Sequence, residues 1–303
     1  MDYRVDVAFE PRYELLSSLH TMICRKSHKK IDLTPAWVKD TLKRITPDFG
    51  SLLGDLEVDG DWKTTYLLAY LCPNGTSPEG FLAWLEAKTP GDLYELIAEY
   101  SQQFPKDMGH FRSRTLTVLS GWHEQYFRKL EPEVIGALRS EAQARTMELT
   151  NEAETSAFIE RTTNGLTFLP KQGLEQLVLV PQYHFQPMNV IYHFGKITLC
   201  HYSARIYLGG ETGFPPHEYR MIRALAEQSR LKILRYLSGG PRTFTEIVRH
   251  LKLSKGITHD HVSKLRSGGF IRAHFDGEAV SEYSLRPEML DVMHRKLVDY
   301  IVN

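Results

Sequence analysis

Cysteine is scarce in this chain. Cys24, Cys72 and Cys200 are its three cysteines among 303 residues, and they stand far apart. A set so sparse and odd leaves no disulfide framework and no zinc ribbon, and it points to a reducing cytoplasm. Long apolar runs are missing too. The longest, Tyr66 to Cys72, falls far short of the roughly 20 residues a membrane span needs. The opening residues include Asp2, Arg4, Asp6 and Glu10, a composition unlike a signal peptide. Enzyme signatures are likewise absent: no glycine loop for phosphate, no Gly-x-Ser-x-Gly elbow, no His-Glu-x-x-His pair. The expectation is a cytoplasmic protein that is not an enzyme, needs no cofactor and does not enter a membrane.

The chain has no net charge, yet its charge is uneven. From His217 onward, fifteen Lys and Arg face ten Asp and Glu; before it, 22 face 27. A basic C-terminal module on an acidic remainder suits a nucleic-acid partner at the C-terminal end alone.

What is present is most informative from His217 to Leu285. Ile222, Leu225 and Ala226 form one helical stripe, and Leu231, Ile233, Leu234 and Leu237 form another, out of phase with it. That pattern predicts a bent helix pair, with Ser229 placed to cap the second helix. Gly239, Gly240 and Pro241 stop it. Thr243 and Glu246 have capping-box spacing, and Phe244, Ile247, Val248 and Leu251 then recur at i, i+3, i+4 and i+7. After a turn at residues 252–254, Thr258, Val262 and Leu265 give a third helix its inward face. Gly268 and Gly269 end that helix. Two alternating runs around Asp276 and Gly277 read as a β-ribbon. Helix, turn, helix and ribbon are the parts of a winged helix-turn-helix, whose second helix enters the major groove.

At these residues the chain resembles the ArsR family of bacterial regulators. The run ALAEQSRLKIL from Ala224 resembles that family's opening helix pair. LKLS from Leu251 and VSKLRSGGFI from Val262 sit in register with its recognition segment. The resemblance covers about 70 residues. It implies a repressor that binds double-stranded operator DNA, and a homodimer paired through the last helix, residues 287–302. Departures from the family lie at His259, Asp260 and Glu278, the last at the ribbon tip, where the family often carries a base.

The residues expected to meet DNA are Lys255, Thr258, His259, Asp260, His261, Ser263, Lys264 and Arg272. Lysine can bond a guanine edge or a phosphate, and a carboxylate can accept from cytosine. Asp276 and Glu278 at the tip would repel phosphate, so the wing is expected to contribute little. No metal site is expected: the helix from Phe244 to Leu251 lacks cysteine, and Asp291 with His294 makes an incomplete set. His184, His193, Cys200 and His201 share a β-rich stretch, but their spacing fits structural roles better than zinc. A metal-sensing repressor, or a winged helix that binds protein instead of DNA, is the alternative reading.

The preceding residues read as helix after helix. Thr34, Ser77 and Thr89 each precede a proline, the signature of a capped helix start. Further helices are expected near 61–71, 108–128, 132–148 and 151–160, and strands near 166–169, 176–180, 190–194 and 196–202. The expected fold is therefore mainly α (α+β). A helical domain spans 1–162, a small β-rich unit at 163–210 completes it, a linker follows at 211–216, and the winged helix occupies 217–303. The N-terminal region is where a small-molecule effector would be sensed. Its tryptophans, Trp37, Trp62, Trp84 and Trp122, are read as core before pocket wall.

Overall fold

A computed structural model describes residues 3–208 and 213–302. In chain order the first elements are β1 (Arg4–Val7), α1 (Pro11–Ile23), α2 (Thr34–Arg44), α3 (Pro47–Gly54), α4 (Gly60–Leu71) and α5 (Pro78–Ala87). Next come α6 (Pro90–Ala98), α7 (Met108–Gln125), α8 (Pro132–Asn151), α9 (Thr155–Thr162) and β2 (Leu166–Phe168). Then follow β3 (Gln176–Gln182), β4 (Val190–Phe194), β5 (Ile197–Ser203), α10 (Pro216–Leu225) and α11 (Gln228–Leu237). The chain closes with α12 (Phe244–Leu251), α13 (Lys255–Ser267), β6 (Ile271–Asp276), β7 (Ala279–Leu285) and α14 (Glu288–Val302). The architecture is mainly α with two small sheets, the α+β class the sequence implies.

The chain divides into two compact units, along lines the sequence boundaries miss. The larger holds residues 4–146 and 173–206; the smaller holds 1–3, 147–172 and 207–303. The expected β-rich unit at 163–210 is thus split between them. Its strand β2 pairs in parallel with β6, Leu166 opposite Ala273 and Phe168 opposite Phe275. Its other strands take β1 from the N-terminus instead, in the order β1-β3-β5-β4. Part of the expected linker, residues 211 and 212, lies outside the described residues.

The larger unit is built around α1, which is buried along almost its whole length. Leu15, Leu16 and Leu19 supply its apolar packing, and its polar side chains are buried as well. Burying polar groups is costly unless each finds a partner. Arg12 donates to the carbonyls of Ala69 and Cys72, Ser17 to Gln182, and Ser18 accepts from the Trp122 indole. Glu14 accepts from the backbone amides of Tyr183 and His184 and lies 2.5 Å from the His184 ring nitrogen Nδ1. Two of the expected cap signatures hold: Ser77 accepts from the Gly80 amide, and Thr89 forms a capping box with Asp92. At Thr34 the helix begins one residue earlier than expected, with Leu33 at the cap position; Thr34 has a left-handed φ of 62°, and its hydroxyl accepts a long bond, 3.4 Å, from the Ala36 amide.

The smaller unit contains its own core of Met221, Ile233, Leu237, Ile247, Val262, Leu265 and Phe270. Residues 155–168 are bound into it through Glu160. That carboxylate pairs with Arg272 at 2.6 Å and with Arg286 at 2.8 Å. Burial alone would raise its pKa, but the two guanidiniums outweigh burial and hold it below the usual range. Gly165, at φ +100°, brings the backbone so close to the Ile271 carbonyl that a Cβ would sit 2.9 Å from it.

Two predictions follow from this packing. Glu160→Gln leaves the buried Arg286 without its main counter-charge, so the unfolding transition of the smaller unit should be destabilised by about 3 kcal/mol. Urea titration of the full chain tests it, and an unchanged midpoint would show that the carboxylate does not hold this unit together. In the larger unit, burial pushes His20 and His201 from 6.5 down to about 3. His20 Nδ1 also accepts from the Trp62 indole, a bond that requires the unprotonated nitrogen. Both rings are neutral when folded, so stability is full above pH 6.5 and falls as pH drops from there toward 3. Each ring should contribute a slope of about 1.4 kcal/mol per pH unit. His201→Phe should remove one proton's worth of that slope; the wild-type slope persisting in the variant would refute the assignment.

Candidate nucleic-acid interface

The helix pair α12–α13 is set by local chemistry. Thr243 and Glu246 form the capping box that starts α12. Lys252 ends it in a left-handed turn, at φ 56°. Ser254 then accepts from the Ile257 amide and starts α13 at a new angle. Before this pair, Glu227 and not Ser229 caps α11, accepting from the Arg230 amide. The Arg230 guanidinium in turn donates to the Arg223 carbonyl, which ties α11 back to α10.

On α13, Thr258, Val262 and Leu265 point into the core as their spacing predicts. Lys255, His259 and Lys264 are exposed, while Asp260 and Ser263 are half-buried. Asp260 and Lys264 face each other one turn apart, Nζ to carboxylate 2.7 Å. His259 sets its ring edge against Phe244 of α12, with centroids 6.2 Å apart. Close by, His250 stacks on Tyr236 at 3.9 Å, and the Arg242 guanidinium lies 5.0 Å from the same tyrosine ring. Arg249 and Lys252 are exposed at the end of α12. Sequence reasoning did not single out these flanking bases, whose closeness to α13 follows only from the turn.

Three expected DNA contacts are corrected. Thr258 is 0% exposed, its hydroxyl enclosed without a partner, so its place on the inward stripe overrides any reach to phosphate. His261 is largely covered, with Nδ1 3.6 Å from the Glu227 carboxylate. Arg272 is consumed within its own unit, by Glu160 and by Glu288 at 2.7 Å. His274 is also engaged, between the Thr167 hydroxyl at 2.7 Å and the Ser284 hydroxyl at 2.8 Å. Burial holds its pKa below the ordinary histidine value. The ribbon tip is acidic, with exposed Asp276 and Glu278 and a Lys171–Asp276 pair at 3.3 Å.

Elsewhere, among the described residues, no group of three or more His, Cys, Asp and Glu is placed to hold a metal ion. His184 serves Glu14, and His193 lies 3.0 Å from the Thr198 hydroxyl. Trp62 and Trp122 are core, and Trp37 and Trp84 pack against that core. A small cleft of about 40 Å³ lies beside Trp62, Phe111, Asp59, Asp61 and Arg114. It has room for a few waters, not for a drug-sized ligand. No described helix is long and apolar enough to cross a membrane.

Part of this segment is similar in sequence to known regulators. Residues 227–273, from the cap of α11 into β6, match the family model for bacterial regulatory proteins of the arsR family. That segment, with its helix-turn-helix and ribbon, is similar to the arsR family. A relative from Streptomyces lividans, described as a "Probable mercury resistance operon repressor", is 33% identical over 79 residues, 26% of this chain and 63% of the relative. The chain spans less than two thirds of that relative's length. No solved structure matches it.

The Asp260–Lys264 pair generates a prediction about salt. An exposed pair stabilises the helix little, so the effect to look for is on DNA binding. Lys264→Ala removes a cation and bares an anion, and should lower both affinity and the slope of log K on log salt by about one contact's worth. Asp260→Asn should raise affinity for any sequence. A salt slope identical in wild type and Lys264→Ala would remove this lysine from the interface.

Proposed function

We propose that the chain is a DNA-binding transcriptional regulator, a repressor that reads its operator as a homodimer through α13. The observation that carries this reading is the exposed face of α13, held by an intact helix-turn-helix inside the segment that matches the arsR model. Lys255, His259, Asp260, Ser263 and Lys264 stand on it, and Arg249 and Lys252 extend its positive flank toward the DNA backbone. The relative's description as a repressor supports the direction of control.

Dimerisation draws support from α14. Met289 is buried and Val292 and Met293 pack on their own core, but Leu290, Val298, Tyr300 and Ile301 are exposed, Ile301 by 70%. An apolar edge of this kind fits a second copy. The larger unit is the place for a sensed ligand or partner, which acts on DNA affinity only as far as it binds one state of the protein better than the other. The three cysteines all lie outside residues 207–303, so thiolate metal sensing within the winged helix has no ligands there.

Fluorescence anisotropy on DNA from upstream of its own gene, with scrambled DNA as control and salt stepped from low to physiological, tests this function. We expect preferential, salt-sensitive binding, and sedimentation of the complex at two chains per fragment. Absence of binding even at low salt would overturn the regulator reading in favour of a protein-binding winged helix.

A further inference from the structure

The first turn of α13 contains a glycine that the fold does not need. The other glycines of this segment have clear reasons. A Cβ on Gly268 would meet the Ala224 Cβ at 2.9 Å. Gly269 has φ +80° and would place a Cβ 2.5 Å from Asn164 Oδ1. Gly256 differs in both respects. It lies in regular helix, outside the left-handed region, and a Cβ there would meet nothing within 4 Å. Glycine in a helix costs conformational entropy that alanine would spare. Neither backbone geometry nor packing within the chain repays that cost.

Next to it stands Ile257, 51% exposed. One exposed isoleucine needs no explanation by itself. Here it adjoins the bare backbone of Gly256, on the helix whose exposed side carries Lys255, Asp260 and Lys264. By helical spacing, Gly256, Asp260, Ser263 and Lys264 lie on the side opposite Thr258, Val262 and Leu265, and Ile257 flanks them. The outward face therefore begins with a gap and an apolar side chain and continues with charge. In the major groove, thymine alone among the bases presents a methyl group, and apolar side chains read it by contact.

We propose that Gly256 and Ile257 form the base-reading element of α13: the missing side chain lets the helix seat deeply, and Ile257 packs on a thymine methyl in each half-site. This rests on the DNA-binding reading above and adds the class of base recognised. The polar residues then position and orient, and the apolar pair selects an A·T pair at one position.

The test uses the full-length protein and the fragment it selects from a random-sequence duplex pool. Each thymine in that fragment is replaced in turn by uracil, which lacks only the methyl. For the wild type we expect one position per half-site where uracil weakens binding about four-fold, the transfer value of one buried carbon group. In Ile257→Ala that position should become indifferent to the methyl. Gly256→Ala should melt at or above the wild-type temperature yet bind the selected fragment at least about tenfold more weakly. Wild-type affinity in Gly256→Ala, or an unchanged uracil profile in Ile257→Ala, would overturn the proposal while leaving DNA binding intact. A wild type that binds DNA but selects no sequence would overturn this proposal alone, and one that binds no duplex even at low salt would remove the DNA-binding reading with it.

Discussion

One carboxylate ties the smaller unit together. Glu160 sits between Arg272 on the first wing strand and Arg286 at the end of the second. Arg286 also donates to the Gly269 carbonyl, 2.8 Å away, just after α13. Through these two guanidiniums, α9 holds the ribbon β6–β7, the end of α13 and the start of α14 at once. With Glu160 in place, β2 adds to β6 as a third strand, and Thr167 reaches His274. The wing is therefore not a free ribbon. It is one layer of a sheet whose other edge is supplied by residues about a hundred positions upstream.

The larger unit solves a different problem with the same physics. A helix buried on all sides normally reads as apolar all round, yet α1 carries Arg12, Glu14, Ser17, Ser18, His20 and Thr21 in the interior. Thr21 bonds back to the Ser17 carbonyl of α1, and each of the others has a partner from another part of the unit: α4, β3, α7, or the residues after β3. Such bonds contribute little net free energy when made and are costly when broken. They fix which elements surround α1 and in what register, and apolar packing alone would be less exacting. His201 is the exception, enclosed with both ring nitrogens unbonded. Its cost is carried by the surrounding aromatic packing, including Tyr66 at 4.8 Å and Tyr13 at 5.7 Å between ring centroids.

Local features were legible in the sequence because their causes are local. The capping box at Thr243 and Glu246 and the stripe Thr258, Val262, Leu265 each depend on residues within two turns, and the structure shows both. The strand positions from residue 166 to 203 were also readable from their composition. Their partners were not. Nothing in Leu166–Phe168 says that it pairs with Ala273–Phe275 and leaves β3 to pair with β1 and β5. The same ignorance of distant partners misplaced Arg272, an arginine on a wing strand that looks free until Glu160 is known to face it. Thr258 differs: its spacing with Val262 and Leu265 already places it inward, and burial takes its hydroxyl out of reach of DNA.

These placements bear on how the module would hold DNA. Arg272 and His274 are spent inside the unit, and the ribbon tip carries Asp276 and Glu278, so few wing charges remain for phosphates. On α13 itself, Asp260 offsets Lys264. Nonspecific affinity grows with the number of phosphates neutralised, and here it would rest on exposed Lys255, Arg249 and Lys252 and not on the wing. Tighter binding would draw on something more. Two half-sites engaged by one dimer raise affinity through effective concentration without any new contact. Close seating of α13 raises discrimination between bases in place of general attraction. A winged helix with a restrained wing would then draw on pairing for strength and on shape for selectivity, and the exposed edge of α14 and the bare turn at Gly256 are the features that would meet those two needs.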